Sequence, residues 1–217
     1  MQKYILSLII LIFSSPIFGQ GLSFSVVFDP QITWMGSDSK RIERSGTNFG
    51  IGGGLVMDHY FAENYAFSTG LFILGTGGSL NYLDSLDFQF GGSRDTLPPG
   101  STLRYRLQYI SIPFSLKLKS NEIGYTRFYA HLGLNTHMNV KASGDAESID
   151  MKGEDIRDEV NFFMMSYFIG GGLEYSLGGN TAITGGIYFT SGIWDVTASN
   201  EYRAHVGSVS LRLGVKF

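Results

Sequence analysis

The sequence predicts an all-β chain, a membrane-embedded antiparallel up-and-down β-barrel of eight strands with a cleaved N-terminal signal peptide. Three observations predict it. From residue 20 to the end, apolar side chains recur at alternate positions, the pattern of strands with one apolar and one polar face. The connections between these segments are long and short in strict alternation, as in barrels with generous loops at one rim and tight turns at the other. Aromatic residues fall near the segment ends, where a barrel wall meets the two bilayer interfaces.

Residues 1–19 read as the signal peptide, with cleavage beside Gly19 or Gln20, and residues 20–217 as one barrel domain. Lys3 supplies a positive start, Tyr4 to Phe13 is apolar apart from Ser7, and Ser14 to Gly19 is small and turn-prone. Those are the regions of a secretory leader, and the apolar run is well short of the ~20 residues that a spanning helix requires.

The first strand, Leu22 to Trp34, sets Leu22, Phe24, Val26, Phe28, Ile32 and Trp34 on one face and Ser23, Ser25, Asp29, Gln31 and Thr33 on the other. Phe49, Ile51, Leu55 and Met57 mark the second; after a turn at Asp58 to Asn64, Tyr65, Phe67, Leu71 and Ile73 mark the third. The fourth changes parity midway, from Leu103, Tyr105, Leu107 and Tyr109 to Ile110, Ile112, Phe114, Leu116 and Leu118. Such a slip predicts a bulge, and Pro113 within the run requires a bulge or a locally missing ladder bond if the sheet is closed. The fifth strand opposes Phe128, Ala130, Leu132, Leu134, Met138 and Val140 to a wet face of Arg127, Tyr129, His131, Asn135, His137 and Asn139. Phe163, Tyr167, Ile169, Leu173 and Tyr175 mark the sixth, Ile183, Ile187 and Phe189 the seventh, and Val209, Leu211, Leu213, Val215 and Phe217 the eighth.

Long links are expected at Met35 to Gly46, Gly75 to Thr102, Lys141 to Val160 and Ile193 to Arg203, and short ones at Asp58 to Asn64, Lys119 to Gly124 and Ser176 to Asn180. With both termini periplasmic, the long links all become extracellular, and the chain sits in the outer membrane of a Gram-negative cell. Trp34 and Trp194 then lie at the outer rim and Tyr65, Tyr125, Tyr175 and Phe217 at the inner one. Hydrocarbon cannot satisfy an open sheet edge, so a membrane protein made of strands has to close. A secreted soluble barrel of lipocalin type shows the same alternation; the rim aromatics, the asymmetric links and the small polar second face favour lipid outside.

Composition narrows the function classes. Sixteen Lys+Arg against 19 Asp+Glu leave a net charge of −3, with no basic footprint for nucleic acid. The absence of Cys removes disulfides, thiolate zinc sites and a lipid-modified cysteine. No cofactor, metal or catalytic residue is assigned.

The run Tyr109-Ile110-Ser111-Ile112-Pro113-Phe114 followed by Leu116-Lys117-Leu118-Lys119, the glycine-rich Gly50-Ile51-Gly52-Gly53-Gly54, and the terminal Val209 to Phe217 resemble the small outer-membrane β-barrel proteins of Bacteroidetes-type bacteria, labelled porin-family or PorT-family. The resemblance covers Gly21 to Phe217. It implies the fold and the location, and its terminal aromatic resembles the signal by which the outer-membrane assembly machinery recognises its clients. Family members differ in function; the original PorT protein is associated with type IX secretion.

An eight-stranded barrel is only wide enough for side chains to fill it, so a closed polar lumen is expected despite the porin label. Lys117, Arg127, His131, Glu174, Arg212 and Lys216 face inward, and Arg127 is expected to pair with Glu174 across adjacent strands, since buried charge without a partner is costly. The pieces of an enzyme are present but dispersed: His137 and His205 as bases, Ser143, Ser199 and Ser208 as hydroxyls, Asp195 or Glu201 as acid, with no spacing that joins them. Lys141 to Val160 reads as a solvated acidic loop. Gly75 to Thr102, with Leu80, Tyr82, Leu83, Leu86, Phe88 and Phe90, reads as a hairpin offering an edge to a partner strand or as a loop folded over its own barrel mouth. The expected role is structural or interactive, through the outer loops. Outer-membrane lipid, lipopolysaccharide and the assembly machinery are the expected partners. The alternative is an accessory component of a type IX secretion or envelope-assembly machine, ahead of a lipid-modifying enzyme or narrow channel.

Overall fold

In a computed structural model of the chain, the described residues are 21–37, 39–91, 93–199 and 202–217; the expected signal peptide lies outside them. The alternating segments form β1 (Leu22–Gly36), β2 (Ile42–Ala62), β3 (Tyr65–Tyr82), β6 (Ser101–Lys119), β7 (Thr126–Ala146), β9 (Phe163–Gly178), β10 (Thr181–Gly192) and β11 (His205–Lys216). These eight make an antiparallel ring in the order β6-β3-β2-β1-β11-β10-β9-β7, closed by the pairing of β6 with β7. The first strand meets the last through pairs such as Val26 with Val215, so the ring has no lipid-facing edge to satisfy. A small hairpin, β4 (Leu86–Phe90) with β5 (Ser93–Leu97), and a short β8 (Met151–Asp155) on the edge of β7 complete the sheet structure.

The outward face is apolar where the alternation is clean. Phe28, Ile32, Phe67, Leu71, Ile169 and Ile187 are each half exposed or more, whereas their neighbours Asp29, Thr33, Ser68 and Tyr188 are buried in the lumen. Links alternate as expected, with tight turns at Glu63–Asn64 and Gly179–Asn180. Tyr65, Tyr125, Tyr175 and Phe217 are exposed at the tight-turn rim and Trp194 at the long-link rim. Arg44 lies 5.3 Å over the ring of Trp34.

The strands run further than the alternation indicated. The turn expected at Asp58 to Asn64 is mostly strand, because Asp58 and Tyr60 continue the inward parity of β2 toward lumen lysines that neutralise the acid. At the other rim β2 starts at Ile42, β3 continues to Tyr82 and β7 to Ala146, so the strands stand clear of the apolar band as a collar.

The parity slip in β6 is not a bulge in β6. Odd-numbered residues face inward along its whole length, from Ser101 and Tyr105 to Lys117 and Lys119. The chemistry changes and the facing does not: inside, Leu103, Tyr105, Leu107 and Tyr109 give way to Ser111, Ser115 and Lys117, while outside Arg104, Arg106 and Gln108 give way to Ile110, Ile112 and Phe114. The bulge itself lies on the partner strand. Gln108 pairs with Lys141 and Tyr109 with Asn139, leaving Val140 as the extra residue, and β7 switches its inward set from Tyr129, His131, His137 and Asn139 to Ala142 and Ala146. Pro113 pairs with Asn135 on β7, while the β3–β6 ladder skips from Thr69–Phe114 to Phe72–Ser111, which is the local interruption that a proline lacking its N–H demands. The glycine run of β2 serves close backbone approach: a Cβ on Gly50 would stand 2.3 Å from Gly75 O, and one on Gly54 2.2 Å from Leu71 O.

Candidate functional site

The lumen holds the barrel's densest chemistry, and it is layered. Nearest the tight-turn rim, Lys117 Nζ lies 2.9 Å from Asp58 Oδ2 and 2.8 Å from Glu174 Oε1. Glu174 also takes Lys119 at 2.7 Å and Lys216 at 3.3 Å. Both of those lysines donate to Tyr60 Oη, at 2.9 and 3.1 Å, and Ser68 donates to Asp58. Higher up, Arg212 grips Asp29 with Nε at 2.9 Å and Nη2 at 2.6 Å, its guanidinium carbon 4.1 Å over the Tyr188 ring and 4.8 Å over that of Phe72.

These charges arise at i, i+2 or i, i+4 on single strands, the spacing that keeps side chains on one face: Lys117 and Lys119 on β6, Arg212 and Lys216 on β11. The carboxylates come from β1, β2 and β9. Five strands are thereby tied across the lumen, and each buried charge has the partner that its desolvation requires. Among the described residues this lumen cluster sets four cations (Lys117, Lys119, Arg212, Lys216) against three carboxylates (Asp29, Asp58, Glu174). The expected Arg127–Glu174 pair does not form. The two residues are opposite in register, but Arg127 sits at the rim, its side chain 47% exposed, and pairs with Glu122 at 2.8 Å, while three lysines occupy Glu174. Asp58, Lys119 and Tyr60 escaped the sequence reading, although Lys119 continues the parity of Lys117, and Asp58 and Tyr60 that of Val56.

Two histidines and several hydroxyls fill the middle of the lumen, beside and above these charges. His131 contacts Ser115 Oγ through Nε2 (2.8 Å) and Tyr188 Oη through Nδ1 (3.1 Å); His137 contacts Ser111 Oγ (2.5 Å) and Ser166 Oγ (2.8 Å). Thr33 Oγ1 donates to Gly77 O at 2.8 Å. The dispersed hydroxyls and acids are not assembled with a histidine. His137 is buried in the lumen, Ser208 is buried on β11, Ser143 on β7, and Asp195 is 3.9 Å from Arg203. Ser199 lies in the last long link, and Glu201 is outside the described residues. Among the described residues, the hydrogen-bond partners of His137 are serines and not an acid.

Above this layer the interior becomes apolar. Met35, Leu80, Tyr82, Leu103, Tyr105 and Val206 are buried together with Phe88, Phe90 and Leu97 of the β4–β5 hairpin. The hairpin is therefore folded over its own barrel mouth, its apolar residues facing the plug and not a partner. Gly91 N donates to Asp155 O (2.8 Å) and Gln89 N to Glu159 Oε1 (3.1 Å), clamping it to the acidic loop. Tyr82 Oη and Tyr105 Oη lie 2.5 Å apart in the plug, and burial pushes both phenols above their ordinary pKa.

The acidic loop spends its carboxylates locally. Asp145 takes Arg106 Nη2 and Gly153 N, both at 2.6 Å. Asp155 takes Arg157 through Nε (2.9 Å) and Nη2 (2.7 Å), and these bonds hold its carboxyl below the usual range. No group of three or more metal-ligating side chains occurs among the described residues.

The outer membrane protein beta-barrel domain family matches residues 18–198. The chain belongs to that family, and its location is the outer membrane. Among solved structures, Neisserial surface protein A is similar with a TM-score of 0.52 at 16% identity, over 91% of this chain and 98% of that one. Outer membrane protease OmpT from Escherichia coli has a TM-score of 0.44 at 10% identity, over 92% and 97%. Ail, the attachment invasion locus protein of Yersinia pestis, has 0.38 at 16% identity, over 92% and 100%. At these identities the likeness concerns the fold alone. No curated protein sequence matches this chain.

Proposed function

We propose that this outer-membrane barrel is a closed structural and interaction protein that works through its long links, held outside the cell with both termini in the periplasm. The observation that carries the reading is the double closure of the lumen: paired charges fill it below, and an apolar plug roofed by the β4–β5 hairpin fills it above. Ions would have to displace Arg212 from Asp29 and then cross the plug, and no residue is assigned a catalytic role. The partners proposed are outer-membrane lipid and lipopolysaccharide, the assembly machinery during biogenesis, and a protein met at the rim.

The resemblance of the Tyr109 to Lys119 run and the Val209 to Phe217 strand to Bacteroidetes PorT-family barrels supports a second reading, an accessory subunit of a type IX secretion or envelope-assembly machine. Purification from outer membranes in mild detergent separates the two. The comparison variant joins Asp87→Lys to Thr96→Lys, because both side chains are exposed on the hairpin and bond one another at 2.7 Å, so the plug beneath is left intact. A stoichiometric partner lost in the variant supports the machine subunit; a barrel that emerges alone in both sinks it. Unitary conductance in a planar bilayer would overturn the closed lumen.

A further inference from the structure

The outer wall carries a groove that the lumen does not share. Between β2 and β6, β3 steps inward: Thr76, Gly77 and Gly78 are buried, the β2–β3 ladder skips from Gly46–Ser79 to Gly52–Leu74, and a Cβ on Gly78 would stand 2.3 Å from Met35 N of β1. Lumen side chains receive the displaced carbonyls, Thr33 at Gly77 O and Gln31 Nε2 at Gly75 O (3.0 Å). The inward step leaves outside a groove of about 640 Å³. Its lower part is apolar, with Phe49, Ile51 and Ile73 each more than half exposed. Its upper part holds Arg104, Arg106 and Lys141, and no carboxylate lines it among the described residues.

One of these cations is held in place from beneath. Asn48, buried, accepts from Arg104 Nε at 3.1 Å and donates through Nδ2 to Tyr105 O at 3.0 Å. Arg106 is tied from above by Asp145, while Lys141 stands exposed. A second groove, sharing Asn48, Arg104 and Arg106, continues toward Pro98, Pro99 and Lys152, with Asp145 and Glu147 also on its wall; its mixed polar lining suits the hydroxyls of a sugar and leaves the phosphate to the first groove.

We propose that this groove binds one molecule of lipopolysaccharide, a lipid A phosphate on Arg104 and Lys141 and an acyl chain along Phe49, Ile51 and Ile73. The polarity of the groove is that of an amphiphile, cationic at the collar and apolar in the band below it. A guanidinium presents paired donors that match phosphate oxygens, and one oriented in advance loses less entropy on binding. A free anion would use only the upper half. The inference rests on the long links facing outward, since lipopolysaccharide occupies that leaflet.

Native mass spectrometry of the full mature chain in mild detergent tests it, with lipid A, dephosphorylated lipid A and inorganic phosphate as probes. One lipid A is expected to be retained, with the dephosphorylated form and the Arg104→Gln/Lys141→Gln variant each binding it about tenfold more weakly, the loss of a single charge-assisted bond or more. The variant keeps the heat-dependent gel migration of the folded barrel. Equal retention of the dephosphorylated lipid, or unchanged retention by a folded variant, would overturn the site; so would inorganic phosphate bound as well as the lipid, which marks an anion patch only. Orientation is read separately. The chain has no Cys, so Leu83→Cys in a long link, 40% exposed, can be labelled on whole cells by an impermeant maleimide. Labelling without lipid A selection sinks the groove alone; lipid A selection without labelling sinks the orientation, and with it lipopolysaccharide as the occupant in the cell.

Discussion

The barrel in its apolar band and the collar above it are built on the same strands with opposite polarity. In the band, Phe114 and Ile112 of β6 face out while Ser111 and Lys117 face in; in the collar, Arg104 and Arg106 face out while Leu103 and Tyr105 face in. The reason is the solvent. Hydrocarbon gives apolar side chains no cause to leave the surface, so the interior is free to hold polar groups provided each charge is paired. Water restores the hydrophobic drive, and the collar has to bury its apolar residues as any soluble domain does. One part is thus held mainly by ring closure and ion pairs such as Arg212–Asp29, the other by packing of buried residues around Leu80 and Tyr105.

The comparison breaks hardest where the two parts join. Inserting one alanine between Lys141 and Ala142, next to the extra residue Val140 of β7, forces Ala142 and Ala146 outward, since a one-residue shift exchanges the faces of a strand. Loss of the folded collar, read as protease cleavage within the long links while the band stays protected, is the expected result. In the lumen, Asp29→Ala strands the Arg212 guanidinium and is expected to cost about 3–5 kcal/mol. The double variant Asp29→Leu/Arg212→Met loses far less in denaturant titration, because no orphan charge remains. An effect of similar size from both would argue that packing and not pairing holds that layer.

In the collar Leu103→Ala opens a cavity in the plug and is expected to cost about 2–5 kcal/mol. Leu71→Ala, on the lipid face, should cost well under half of that, because lipid fills the space. Equal losses in chemical denaturation would erase the distinction between the two parts. Tyr105→Phe removes one hydroxyl of the pair with Tyr82 and is expected to cost about 1–3 kcal/mol. The same pair has a pH signature. Burial raises both phenols, so the stability they contribute is complete below the unfolded value of about 10 and is lost as pH rises above it, when the unfolded chain ionises first. Tyr105→Phe should flatten that alkaline decline in melting temperature; an unchanged slope would locate it elsewhere. The smallest effect is expected at the rim, where Asp155→Asn should leave the melting temperature unchanged, the ion pair with Arg157 being solvent-exposed.

Much of this was legible in the order of residues. Phe24, Val26, Phe28 and Ile32 announce a lipid face, and Asp29, Gln31 and Thr33 the lumen opposite. The slip between Tyr109 and Ile110 was visible too, but its physical cause was not. Alternation reports which face is apolar, and read alone it takes a change of solvent for a change of facing. Asp58 was hidden in the same manner, since an acid at a strand end resembles a turn until a lysine from another strand stands against it. The hairpin at Phe88 and Phe90 looked like an exposed edge because local pattern is silent about what lies below.

By itself the sequence determined the two-faced strands, their number, the long and short links and the need to close, because each follows from the solvent a single side chain meets and from neighbours two positions away. Only the tertiary structure decided which charge answers which. Asp29 and Arg212 stand 183 residues apart, and Lys117 reaches carboxylates on two further strands. Those meetings depend on the register and stagger of the closed ring, to which all eight strands contribute at once.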